Sequence, residues 1–229
     1  MPENTIAAAE AAVAANYAIE VDVRLTADDA VVVFHDETLE RLAGRNKRVR
    51  DLTLNELRGT RIGGVHPIPT LEELLAAVGR RVPVFVEIKS PRKFEAMAAL
   101  VARVIGSIRR YDGPVAVMSF DPDIVALMRR GAPDLPRGIV SCRYRPEPGE
   151  PRHGVMQRTV LANLMHVPRT RPDFIAYQAE DLPQAGVTLV RRSQRLPLLG
   201  WTIRSSAEHS RAAALVDQVI FEDYRPRSP

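Results

Sequence analysis

A chain of 229 residues, 45% hydrophobic and 26% charged, has the composition of an ordinary globular protein with room for a substantial core. Its net charge of +4 does not make it a nucleic-acid binder: the arginines are scattered, aromatics reach only 5%, and basic and aromatic residues do not interleave. No run of eighteen apolar residues and no charged-then-apolar leader occurs, which argues against a membrane span or secretory signal. The single cysteine, Cys142, has no partner for an intramolecular disulfide, and the expected compartment is the cytoplasm.

In chain order, Thr5 to Asn16 reads as an alanine-rich helix with Asn4 as its N-cap. Two short β-branched runs follow, Ile19 to Leu25 and Val31 to Phe34, about five residues apart. That gap is too short for a parallel crossover, so the pair is an antiparallel hairpin, and its return strand carries His35 back beside Asp22. A short helix starts near Leu52, capped by Asp51 or Thr53, and Thr70 to Val78 forms another with a Thr70/Glu73 capping box. Strand then helix repeats from there: Val84–Ile88 and Phe94–Arg110, then Val115–Met118 and Asp123–Arg129. Strands near Gly138–Ser141, Phe174–Tyr177, Leu198–Thr202 and Gln218–Phe221 come next. They alternate with helical stretches around Leu161–Met165, Gln184–Arg192 and Ala207–Val216. Tyr144 to His153 reads as a surface loop. The alternation implies one domain, residues 1–229, with a mostly parallel sheet wrapped by helices.

Three carboxylates and a lysine carry the chemistry. Residues two apart on a strand share a face, so Glu20 and Asp22 project together, as do Glu87 and Lys89, with Ile19, Val21, Val84 and Val86 opposite. An inward-facing acidic cluster needs a positive neutraliser, and a hard divalent cation, Mg²⁺ or Ca²⁺, suits oxygen ligands. Lys89 is one of three lysines among many arginines, which suits a compact point charge at a strand end. A salt bridge to Glu87 or Asp22 is its structural role, and it can coexist with binding a ligand. His35 has the residue type and placement of a general acid or base, with Asp36 orienting the loop or ring. His66 is a poorer candidate, in a loop, and His153, His166 and His209 read as surface residues. Gly44 to Arg50 (GRNKRVR) reads as a basic loop, solvated or meeting an anionic lipid or substrate, the solvated reading being the commoner.

Pro2 to Thr5 (PENT), Glu20-x-Asp22, His35-Asp36, Ile68 to Leu75 (IPTLEELL), Glu87-x-Lys89, Ser119-Phe120-Asp121, Trp201-Thr202 and Glu222-Asp223-Tyr224 stand in that order along nearly the whole chain. This ordered set resembles the glycerophosphodiester phosphodiesterase family. The resemblance implies a TIM-barrel-like (βα) fold with functional groups at the C-terminal ends of strands. It also implies metal-dependent cleavage of a glycerophosphodiester, such as glycerophosphocholine, to glycerol 3-phosphate and an alcohol. Glu20, Asp22 and Glu87 would be the metal ligands, His35 a proton-transfer residue, Lys89 a phosphate contact. Trp201 would wall the glycerol or pack within a barrel layer.

One departure stands out. The family opens with a strand bearing His-Arg-Gly before PENT, whereas Met1 directly precedes Pro2 here. Seven parallel strands are counted where a (βα)₈ barrel has eight, so a barrel lacking its first strand is expected, with a homodimer as one way to cover its open edges. Losing one of two proton-transfer groups typically removes about 10²–10⁴ in rate. A non-catalytic member that binds metal and phosphodiester, and an enzyme acting on lysophospholipids, are the rival readings.

Overall fold

The computed structural model describes residues 1–91, 93–145 and 154–226. Most of the expected Tyr144–His153 loop, His153 included, lies outside the described residues. The chain forms two compact units, Met1–Leu135 and Pro136–Pro229.

In the first unit, α1 (Ile6–Ala14) leads into β1 (Ile19–Leu25), which turns back into β2 (Val31–Val33). An excursion carries α2 (Glu40–Ala43), α3 (Leu54–Leu57) and the small ribbon β3 (Arg61–Ile62) with β4 (His66–Pro67). Then come α4 (Leu71–Val78), β5 (Val84–Ile88), α5 (Phe94–Ile108), β6 (Val115–Ser119) and α6 (Pro122–Gly131). The strands lie side by side as β2, β1, β5, β6. β1 pairs antiparallel with β2 (Val23 opposite Val33), as the short connection requires, and parallel with β5 (Asp22 opposite Glu87). β5 continues in parallel to β6, with Glu87 opposite Met118.

The apolar face of this sheet is what holds the unit together. Val21, Val23, Val84 and Val86 are buried against Leu71, Leu74 and Leu75 of α4 and Leu100, Val101 and Val104 of α5. The α5 residues recur at the three- and four-residue spacing of one helix face. A buried valine or leucine of this kind contributes about 1.5–3 kcal/mol. A second, separate cluster joins Phe34, Leu39, Val49, Leu57, Ile62 and Ile68, and it anchors the excursion between β2 and α4.

Capping follows the local chemistry, with one correction. The side chain of Thr5, not Asn4, caps α1, its Oγ1 accepting from the Ala8 amide at 3.1 Å. Asn4 has φ +58°, a left-handed conformation that asparagine tolerates, and this frees its side chain for another role. Of the two candidate caps for α3, Thr53 is the one used, with Glu56 completing a capping box, and Thr70 with Glu73 does the same for α4. Asp121 caps α6 ahead of Pro122.

The second unit holds β7 (Arg137–Ser141), α7 (Val155–Ala162), α8 (Val167–Thr170), β8 (Phe174–Gln178), α9 (Ala185–Gln194), β9 (Leu198–Ile203), α10 (Ser206–Ala212) and β10 (Gln218–Phe221). Its strands are parallel and adjacent in chain order, with Ile139 opposite Ile175 and Tyr177 opposite Gly200. The helix expected at Leu161–Met165 lies earlier, as α7. Two expected surface histidines are not free on the surface. His166 is partly buried at the start of α8, where desolvation with Arg169 nearby lowers its pKa to about 4. His209 Nδ1 lies 2.8 Å from the Tyr224 hydroxyl. Among the described residues no helix is long and apolar enough to cross a membrane.

Candidate active site

β1 carries Glu20 and Asp22 on one face, and the parallel register sets Glu87 of β5 beside Asp22. The three carboxylates come together: one oxygen from each lies within 4.8 Å of the others. Asp22 and Glu87 are buried, at 6% and 7% exposure. Lys89 follows the end of β5, and its amide continues the ladder by donating to the Val23 carbonyl at 3.2 Å. Its Nζ bridges the strands, 2.8 Å from Asp22 Oδ1 and 2.5 Å from Glu87 Oε1.

The electrostatics follow from that packing. Burial, followed by the charges of Asp22 and Glu87, pushes the Glu20 carboxyl well above its ordinary range. Burial also raises Glu87, against the pull of Lys89. Burial alone would lower Lys89, but Glu87 and Asp22 outweigh it and hold the ammonium charged. Three acids therefore share one cation, and the donor set, carboxylate oxygen throughout, fits a hard divalent ion.

Asn4 completes the cluster, and sequence reasoning assigned it to the helix cap instead. Its Nδ2 donates to Asp22 Oδ2 at 2.8 Å while its Oδ1 accepts from the Asp22 amide at 2.9 Å. This two-point clamp fixes the carboxylate rotamer. The signal in the sequence was an asparagine directly before a threonine that can itself cap.

His35 emerges just beyond β2, half exposed, with Nδ1 2.7 Å from Asp36 Oδ1. That contact orients the ring and leaves Nε2 as the nitrogen able to exchange a proton with a ligand. Burial works to raise Asp36, yet hydrogen bonds from Arg41 and His35 bring it down to about 2. Arg41 joins Asp36 to Glu3 of the PENT segment through charge-assisted bonds of 2.6–3.1 Å. The His35 charge also acts favourably on Glu87.

Arg24 is the other residue that sequence reasoning missed. It lies two residues beyond Asp22 on β1, and its Nε donates to the His35 carbonyl at 2.8 Å, tying the histidine backbone to the acidic strand. Ser119, of the Ser119-Phe120-Asp121 motif, is structural: its hydroxyl donates to the Ile88 carbonyl at 2.7 Å and accepts from the Asp121 amide at 3.1 Å. His66 is not a loop residue but pairs with Ile62 in the β3–β4 ribbon. Trp201 lies on β9 in the second unit, half-buried.

Residues 1–224 match the glycerophosphoryl diester phosphodiesterase family. YhdW of Bacillus subtilis, provisionally named a glycerophosphodiester phosphodiesterase, is 26% identical over 97% of this chain and 89% of its own. A glycerophosphodiester phosphodiesterase of Caldanaerobacter subterraneus is 33% identical over 61% of each protein. Among solved structures, a Thermotoga maritima glycerophosphodiester phosphodiesterase superposes with a TM-score of 0.72 at 24% identity, covering 96% of this chain and 88% of that one. An Oleispira antarctica phosphodiesterase, solved with the product sn-glycerol-3-phosphate, superposes with a TM-score of 0.77 at 19% identity, covering 96% and 87%. These likenesses establish the fold class as TIM-barrel-like α/β.

Proposed function

The chain belongs to the glycerophosphoryl diester phosphodiesterase family, and on that premise we propose that it hydrolyses glycerophosphodiesters to glycerol 3-phosphate and an alcohol. Residues 1–229 act as one catalytic domain, a reading the family match over residues 1–224 supports. Glu20, Asp22 and Glu87 hold a divalent cation, Mg²⁺ or Ca²⁺. A cation there supplies Lewis-acid stabilisation of the charge that grows on the phosphoryl oxygens. Lys89 contacts a second phosphate oxygen, giving up part of its hold on Asp22 and Glu87 as ligand enters. His35, steered by Asp36, transfers a proton at Nε2. Asn4 keeps Asp22 in its binding rotamer.

The observation that carries this reading is the convergence of three buried or half-buried carboxylates around one ammonium. An expected homodimer belongs to the same proposal. β2 pairs with β1 over Val23–Leu25, and a second copy pairing along the rest of that edge would extend the cover.

The test is release of glycerol 3-phosphate from glycerophosphocholine, glycerophosphoethanolamine and glycerophosphoinositol, with Mg²⁺ or Ca²⁺ and after chelation. Turnover that needs the ion and falls by about 10²–10³ or more in Glu87→Gln supports the assignment. Turnover indifferent to chelation would refute the metal role. Tight diester binding without turnover would favour a binding module.

A further inference from the structure

A cavity of about 410 Å³ opens beside Lys89, and its walls come entirely from the first unit: the C-terminal end of β1, the start of α5 and the basic loop ending at Arg50. Such a volume accommodates a small ligand group. We propose that this cavity is the subsite for the leaving alcohol and that it selects alcohols bearing a negative charge of their own, a phosphate or a carboxylate. The inference rests on the hydrolytic reading above and narrows its substrate class.

Five cations line the cavity, Arg24, Arg48, Arg50, Lys89 and Lys93, against two carboxylates, Glu37 and Asp51. Several of these charges are already engaged. Lys89 bridges Asp22 and Glu87, Arg50 pairs with Asp29 at 2.8 Å and also donates to the Thr26 carbonyl, and Arg48 approaches Glu37 loosely at 3.6 Å. Arg24 spends only its Nε, on the His35 carbonyl, and its two Nη groups have no hydrogen-bond partner among the described residues. Lys93 has no ion pair among the described residues either. The balance left over is cationic, and it stands directly beside the lysine assigned to the phosphate.

The wall is built rather than adventitious. Val49, between Arg48 and Arg50, is 1% exposed and anchored with Phe34 and Leu39 in the second apolar cluster, which fixes the loop. Leu25 and Leu100 are buried beneath the opening. The loop that reads as solvated in the sequence therefore supplies two cations to the cavity. No aromatic side chain is among the lining residues, so the cavity lacks the ring faces that hold a quaternary ammonium such as choline. A phosphate or carboxylate would instead take charge-assisted bonds from Arg24, Arg48 and Lys93.

The experiment uses the full chain with Mg²⁺ or Ca²⁺ and three substrates: glycerophosphocholine, glycerophosphoinositol and glycerophosphoinositol 4-phosphate. kcat/KM is expected to be highest for the phosphorylated headgroup, roughly tenfold above the neutral one, because hydrogen bonds to charged groups are the stronger kind. Choline should rank last. Arg48→Gln with Lys93→Gln should cut kcat/KM for the phosphorylated substrate about tenfold more than for the neutral one. Equal values across the three, or choline first, would overturn the inference. A second readout keeps it separate from hydrolysis: calorimetric titration with myo-inositol 1,4-bisphosphate. Affinity that drops about tenfold in the double variant supports the subsite even if no diester is turned over, which would sink only the hydrolytic reading. Affinity unchanged in the double variant overturns the subsite.

Discussion

Both units bury carboxylates, but they settle the charge differently. In the second unit Asp181, 2% exposed, has one guanidinium and one amide to itself: Arg145 Nη2 at 2.8 Å and the Arg143 amide at 2.6 Å. In the first unit Glu20, Asp22 and Glu87 share a single ammonium, that of Lys89. A one-to-one ion pair is balanced in charge, even though Asp181 Oδ1 accepts no hydrogen bond among the described residues. A cluster with more acid than base is incomplete, and the deficit is the physical reason to assign an ion to one site and none to the other.

Three substitutions probe that contrast, the largest effect first. Lys89→Met removes the ammonium that ion-pairs with Asp22 and Glu87 and should cost about 3–5 kcal/mol in chelated protein, as breaking a buried ion pair does. Urea unfolding measures it, and Mg²⁺ or Ca²⁺ should restore part of the loss, because an ion that binds only the folded state stabilises by mass action. A loss that no divalent ion repairs would place the two carboxylate sites in the same class. Arg145→Gln should cost less, about 1–3 kcal/mol, since its guanidinium is largely exposed and the Arg143 amide remains with Asp181. Divalent ions should leave that deficit untouched.

Glu20→Gln should have the smallest effect, and of opposite sign. The Glu20 carboxyl titrates well above its ordinary value of 4.5 in the folded chain, so the unfolded chain ionises first. Stability of the chelated wild type therefore declines as pH rises above 4.5, towards the folded-state value. The glutamine variant lacks that decline, so it should be the more stable protein at neutral pH while responding less to added ion. Parallel pH profiles for the two proteins would remove Glu20 from the cluster.

How much of this was legible in the chain varies with the range of the interaction involved. Glu20-x-Asp22 and Glu87-x-Lys89 could be read as co-facing pairs because strand periodicity is local, and the five-residue gap after Leu25 dictated the hairpin. Thr70 with Glu73 and Thr53 with Glu56 are capping boxes contained within four residues. Asn4 was misread because a helix cap is its commonest local role, whereas its actual partner, Asp22, lies eighteen residues away. His166 was read as a surface residue although Leu164, Met165 and Val167 beside it are apolar, and the fold partly removes it from water. Arg48 and Arg50 read as solvated, and the apolar cluster around Val49 gave them a wall to occupy.

The order of strands and helices, the inward set of acids and the family followed from the sequence, because each depends on periodicity and spacing that a chain carries along its own length. The parallel register that sets Asp22 beside Glu87, the Lys89 bridge, the Asn4 clamp and the cation-lined cavity were decided only in three dimensions. Contacts between distant residues depend on how strands align and helices pack, and those are settled by the burial of the shared core rather than by any one segment.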